Sequence, residues 1–540
     1  MMSVQANTIR HLHTDVLVIG AGGAGMSAAL AAAQAGSQVL LADRSLIGRG
    51  GATIMAQMTV AAALGGQVED HWRHHYADTL KAGRGLCNEP LARLLCEEGG
   101  DAIRLLDSWG VGWAREDGEL TQVQAPGHDR PRCVYVDFLN TGPAVAQTLR
   151  TQLARQPNIR RIGDLLVVEL LQQHGSVVGA VALHLTTGAP VLIHAGATII
   201  ATGGLTRLYR RNSASLNMGG DGFALALRAG ATLVDMEFVQ FFPIGHLAPR
   251  LVGFDPIMWD PFRYKLGGRL LNGNGEEFVE RYGNRAEHAQ YTTTRDAATY
   301  AILKEVEAGR GSPSGGAWLS FRHVPEATLR QAFGPIIDKL LENGIDLRQS
   351  MVEVAPIAHY HMGGIRVDTD LATDIPGLFA AGEAVGGANG ANRLSGNAIT
   401  EAVAFGLRAG RSAALVIRCT RSDRAAGAIA GRDAGPCRAV SHRSRADRGI
   451  GQTGSIARRA RHDAAGRPRS AGSGATRCAR LAQHAAGGGS RDARGAGAEG
   501  KPRRASARGL SDPGCVLDSQ SDDRPASRPL GARHSAGCTA

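Results

Sequence analysis

The apolar residues near the start of the chain fall into a strand, helix, strand rhythm. Val16–Ile19 is a short β-branched run, Met26–Ala35 is an Ala-rich helical stretch, and Gln38–Ala42 is a second apolar run. Short apolar runs of this kind suit strands buried on both faces of a parallel sheet. Within 71–117, Leu91, Leu94, Leu95, Ile103, Leu105, Leu106 and Trp109 recur at helical spacing, with a loop near Gly83–Gly85. Leu165–Leu170, Val177–Leu183 and Val191–Ile193 read as strands joined by turns at Gly175 and Thr187–Gly188. Ala197–Ala201 reads as a further buried strand, and Phe223–Ala229 as a short helix. The segment 237–345 is richer in Pro, Asn and polar residues and breaks the rhythm, which returns with a strand at Gly377–Ala381 and a helix starting around Asn397. The pattern predicts an α/β, Rossmann-like dinucleotide-binding domain in two parts, 14–236 and 346–418, interrupted by an α+β capping domain at 237–345. A cleft between two such domains is the usual place for a substrate.

The pattern then stops. Phe405 is the last aromatic residue, and 419–540 is dominated by Arg, Ala, Gly and Ser. A segment so poor in large apolar groups cannot offset its ordering entropy, so it reads as a basic low-complexity tail rather than a folded unit. Translation of a GC-rich gene in an altered frame accounts for that composition, and a genuine disordered basic tail is the rival. The chain's formal +11 belongs to this end: 421–540 carries +13 and 1–420 carries −2. Nucleic acid is therefore not an expected partner of the enzyme-like part, despite a pI near 9.6. The eight cysteines form no CxxC pair or zinc-like spacing. The N-terminus lacks an apolar signal core, and no window approaches a membrane span. A reducing, cytoplasmic setting without a membrane span or metal site is the expectation.

Two constellations carry chemistry. Gly20, Gly22 and Gly25 make GxGxxG where the first strand turns into its helix. Gly20 allows the turn, Gly22 lets backbone approach a pyrophosphate, and Gly25 lets helix and strand pack closely. Asp43 closes the second strand 23 residues after Gly20, the position of a ribose-binding acid. Thr202 and Gly203, in the ATGG that ends Ala197–Ala201, can bring N–H groups to the same ligand. Asp221, in GGDG, is either a ligand contact or a helix N-terminal acid. In the second constellation, 353–410, Glu383 follows a strand and suits a cofactor ribose. Asn397 and the N–H groups of Ala398 and Ile399 suit a flavin carbonyl. Arg393 suits a bidentate grip on a carboxylate, and His359 suits its other end.

Taken in order, the N-terminal glycine motif, ATGG at 201–204, GGDG at 219–222, MEFVQF at 236–241, GEEFVERY at 275–282, HYHMGG at 359–364 and PGLFAAGE followed by GANRLSGN resemble the succinate dehydrogenase/fumarate reductase flavoprotein family, which includes L-aspartate oxidase. The likeness spans about 14–415. It implies an FAD-dependent oxidoreductase that exchanges a hydride with a small dicarboxylate of the fumarate/succinate type. Amino-acid oxidation of the L-aspartate oxidase kind, or an FAD-binding protein with impaired turnover, are its alternatives. It also implies His359 and Arg393 as substrate residues, Glu383 as a cofactor contact, and an iron–sulfur or other electron-transfer partner. Three departures stand out. Ala52 occupies the place of the histidine that links FAD covalently in some members, so a non-covalent cofactor is expected. Phe242 replaces a substrate-binding histidine, with His246 as the nearby substitute. The proton-donor arginine is displaced by one residue: Tyr264 takes its place and Arg263 precedes it.

Overall fold

The structure is a computed structural model that describes residues 9–430, except 138–139, 250–257, 260–266, 284–285, 288–289, 292–294 and 335. The main sheet has seven strands. Its order runs Ile159–Ile162, Val39–Ala42, Arg10–Ile19, Pro190–Ile200, Ser176–His184, Leu165–Gln173, with Leu378–Ala380 also paired to Pro190–Ile200. Parallel pairing joins the strands from Ile159–Ile162 through Pro190–Ile200 and the added Leu378–Ala380. The meander Leu165–Gln173 and Ser176–His184 adds antiparallel pairs.

Val191–Ile193 and Ala197–Ala201 are not two strands but one, Pro190–Ile200. The two halves nevertheless have different neighbours. His194 and the residues before it pair with Ser176–His184, whereas Thr198–Ile200 pairs with Leu378–Ala380. The apparent break therefore marks a change of partner along one edge.

The first helix, Gly23–Gln34, is buried along nearly its whole length and lies against the last helix, Asn397–Ala430. Contact is made at small residues. A Cβ on Gly406 would strike the carbonyl of Ala24, and one on Gly410 that of Ala28. The last helix continues to Ala430, past the expected end of the fold at 418. Its extension is rich in Ala and Arg, both strong helix formers, and Arg421 pairs with Asp15 at 2.6 Å. The rest of the basic tail, 431–540, lies outside the described residues.

The segment 237–345 builds a separate antiparallel sheet over its own core of Phe242, Ile244, Trp259, Phe278, Phe321 and Phe333. That sheet, in the order Val239–Ala248, Val352–His361, Ala317–Ser320, Arg269–Leu271, also takes in a strand from beyond residue 345. Val352–His361 thus belongs to the capping sheet while its C-terminal end meets the nucleotide-binding part.

Candidate active site

A cleft runs from the glycine turn to the capping sheet. Gly20, Gly22, Asp43, Thr202 and Gly203 line one end, and Glu383, Arg393, His359 and Phe242 line the other. The glycines behave as the motif predicts. Gly20 has φ +101, a Cβ on Gly22 would meet nothing within 4 Å, and one on Gly25 would strike the carbonyl of Gly20. Gly25 itself does not line the cleft; its role is close packing. Asp43 braces the turn as well as facing the cleft: Oδ2 accepts from the Ala21 N–H at 2.6 Å, and Oδ1 from the Ser45 N–H at 2.8 Å. Asp221 starts the helix Asp221–Arg228 and pairs with Arg44 at 2.7 Å. It borders a smaller hollow that shares Gly20, Asp43, Thr202 and Asn217 with the cleft.

At the far end, His359 owes its position to a break in sheet register. Gln240 pairs with Tyr360 and Phe241 with Ala358, which leaves His359 as the extra residue of a bulge. A bulge re-aims side chains, and both His359 and Tyr360 line the cleft. Ser213 Oγ lies 2.8 Å from His359 Nδ1. His361 is turned away, with its ring nitrogens facing the carbonyls of Gly363 and Met236.

Arg393 is 5% exposed, and its guanidinium lies 4.5 Å over the Tyr360 ring. Gln240 Oε1 accepts from its Nη2 at 3.2 Å, while Gln240 Nε2 donates to the Arg393 carbonyl at 2.8 Å. The Tyr360 hydroxyl donates to Glu401 Oε2 at 2.8 Å, and Asn389 donates to the same oxygen at 2.7 Å. Burial drives the Tyr360 hydroxyl well above its usual range, and raises the Glu401 carboxyl as well. Glu383 accepts the His361 N–H at 3.0 Å, and burial pushes its carboxyl up to about 8.

Two expected residues are placed elsewhere. His246 does not line the cleft. It pairs with Val354 one register shift beyond the bulge, and its ring nitrogens face the carbonyl of Pro249 and the indole N–H of Trp259. It therefore cannot stand in for the histidine that Phe242 replaces; Phe242 keeps that place, fully buried, with its ring 5.6 Å from that of His359. The Asn397 side chain is turned from the cleft toward His75 and Thr79, while Ala398 and Ile399 at the same helix start do line it. Arg263 lies outside the described residues. Gln240, Tyr360 and Glu401 were not anticipated; Gln240 and Tyr360 stand inside quoted motifs, but Glu401 carries no local signal.

The cleft suits an FAD. Gly22 leaves open space at a helix N-terminus, the buried Thr202 Oγ1 has no hydrogen-bond partner among the described residues, and the last helix starts with Ala398 and Ile399 at the wall. Fold and cleft together define an FAD-dependent oxidoreductase. The model of the FAD binding domain family matches residues 15–399. A CoM/CoB fumarate reductase chain from Methanothermobacter marburgensis is 38% identical over 74% of this chain and 72% of its own. An L-aspartate oxidase from Caulobacter vibrioides is 36% identical over 74% and 76%. The solved structure of a mutated FrdA chain of Escherichia coli quinol fumarate reductase superposes with a TM-score of 0.70, at 31% identity, covering 78% of this chain and 74% of that one. The chain belongs to the FAD-dependent fumarate reductase/succinate dehydrogenase flavoprotein family, to which the L-aspartate oxidases are related.

Proposed function

We propose that the protein exchanges a hydride with a C–C bond of a small dicarboxylate of the fumarate/succinate type, using non-covalently held FAD. The observation that carries this reading is the buried Arg393 guanidinium at the end of the cleft, which His359 also lines. Bound FAD supplies the two-electron hydride chemistry. Arg393 is held by Tyr360 and Gln240 in an environment where a second charge, a carboxylate, would be gripped by paired N–H donors. His359, oriented by Ser213, addresses the substrate's other end. Glu383 and the Asp43 turn are assigned to the cofactor's riboses, and Asp221 to the hollow beside them. Ala52 lines the cleft with only a methyl group, which supports non-covalent binding. Arg263, by its place in the sequence, is assigned as proton donor.

Anaerobic titration of the dithionite-reduced protein with fumarate tests the assignment, with recovery of the oxidised-flavin band as the expected result. A flavin band that never responds sinks the dicarboxylate. Arg393→Gln is expected to lower kcat/KM by about 100-fold, because a charged hydrogen-bond partner is lost. The 36% identity to an L-aspartate oxidase favours a second reading, amino-acid oxidation. Peroxide formation dependent on aspartate would select it. Among the described residues no group of His, Cys, Asp and Glu is placed to hold a metal, and no helix is long and apolar enough to cross a membrane. The family resemblance is the ground for assigning electrons to a separate iron–sulfur or other carrier.

A further inference from the structure

Behind the segment Arg393–Asn397 lies a buried polar layer centred on Arg132, which does not line the cleft. The Arg132 side chain has no exposed surface. Its guanidinium donates to Asp70 at 3.0 Å, Asp78 at 2.6 Å and Asp129 at 2.6 Å. A cation held by three carboxylates from two separate stretches of chain has one position available to it.

Two imidazoles extend from this cluster to the segment. His128 Nδ1 lies 3.3 Å from Arg132 Nη1, and its Nε2 lies 2.7 Å from the Ser395 carbonyl. A guanidinium can only donate, so Nδ1 must accept and Nε2 must carry the proton. His128 therefore donates to Ser395. His75 Nε2 lies 2.7 Å from Asn397 Oδ1, while the Asn397 amide nitrogen donates to Thr79 Oγ1 at 3.2 Å. That arrangement makes Oδ1 the acceptor and His75 Nε2 the donor. Burial keeps both rings neutral at neutral pH, pushing His75 down to about 3 and His128 to about 4.

We propose that Arg132 is a positioning residue for the reaction. By imposing one tautomer on His128 it fixes the Ser395 carbonyl, and His75 fixes Asn397 two residues later. The chain between the carboxylate clamp and the start of the last helix is thereby held from behind at two points. The inference rests on the reading of Arg393 as that clamp.

Flavin-loaded His128→Gln and His128→Asn separate positioning from packing, with kcat and KM for fumarate measured per bound flavin under reduced viologen. A glutamine amide nitrogen reaches the place of Nε2, and an asparagine amide does not. KM is expected within about threefold of the parent for His128→Gln and raised about tenfold or more for His128→Asn, a gap near that of one lost neutral hydrogen bond. Equal constants for both variants and the parent, with only the melting temperature lowered, overturn the proposal.

Arg132→Met gives a second readout. His128 is faced by Arg132, Asp70, Asp129, His75 and Cys133. Removing the cation leaves the carboxylates to favour the imidazolium. Activity should then gain an acid limb with a midpoint well above 4, absent when His128→Gln is added. A pH profile unchanged from the parent counts against the proposal. If Arg132→Met does not fold, the two His128 variants decide alone. If Arg393→Gln leaves KM unchanged, the clamp reading fails, and the inference falls with it for that separate reason.

Discussion

Glu383 is a carboxylic acid whose burial makes it a proton store. Its folded value of about 8 lies above the ordinary 4.5. The folded, flavin-depleted protein thus keeps a proton that the unfolded chain has lost, and stability falls as pH rises from about 4.5 through about 8. The slope from this one group is up to about 1.4 kcal/mol per pH unit. Glu383→Gln should remove that slope, so the variant melts above the parent at pH 9 and the difference closes toward pH 4.5. Thermal scans of both proteins across that range check it; parallel curves would exclude the burial argument. Glu383, like Asp43 and Arg393, was legible because it stands in a short stretch of sequence with a recognisable pattern, a strand end for the two acids and a glycine-rich loop for the arginine, although its partner His361 is 22 residues away. Glu401 was not. Its partners Tyr360 and Asn389 lie 41 and 12 residues away, and neither spacing is a motif.

At the level of strands and helices, the sequence was readable where one periodicity persisted. The strand Val39–Ala42, the first helix and the strand Leu378–Ala380 lie within a few residues of their expected places, whereas the first strand starts at Arg10 rather than Val16 and Pro190–Ile200 was expected as two strands. Nearness in sequence was a poor guide in Val239–Ala248, whose register against Val352–His361 shifts three times. His246 was assigned to the site on proximity to Phe242, and each shift changes which face the next side chain takes. The contact between first and last helices gives a prediction of its own. Gly410→Leu places a branched side chain against the Ala28 carbonyl and Ala31. Overpacking of this kind costs about 1–3 kcal/mol. The variant should melt several degrees lower and be purified with less flavin per chain, read from the ratio of flavin to protein absorbance. An unchanged ratio and melting point would show that the helices can move apart without disturbing the cleft.

For the whole molecule, charge and chemistry are assigned to different parts of the chain. Every described lining residue falls between Gly20 and Ala402, whereas the net positive charge comes from 421–540. A chain stopped at 430 is expected to keep its flavin content and melting point while losing retention on a cation-exchange column. Loss of flavin instead would assign the basic end a part in building the site. Arg132 has a consequence for how the protein is made. Its carboxylates come from residues 70, 78 and 129, but the loop it supports, 393–397, is synthesised more than 250 residues later. The parallel strand Leu378–Ala380 and the start of the last helix arrive equally late. A nascent chain emerging from the ribosome therefore displays an apparently complete nucleotide-binding motif for most of its synthesis without a pocket to close over a flavin. Cofactor capture must wait until about residue 402 has cleared the exit tunnel, so flavin supply acts on the finished fold rather than on the growing one.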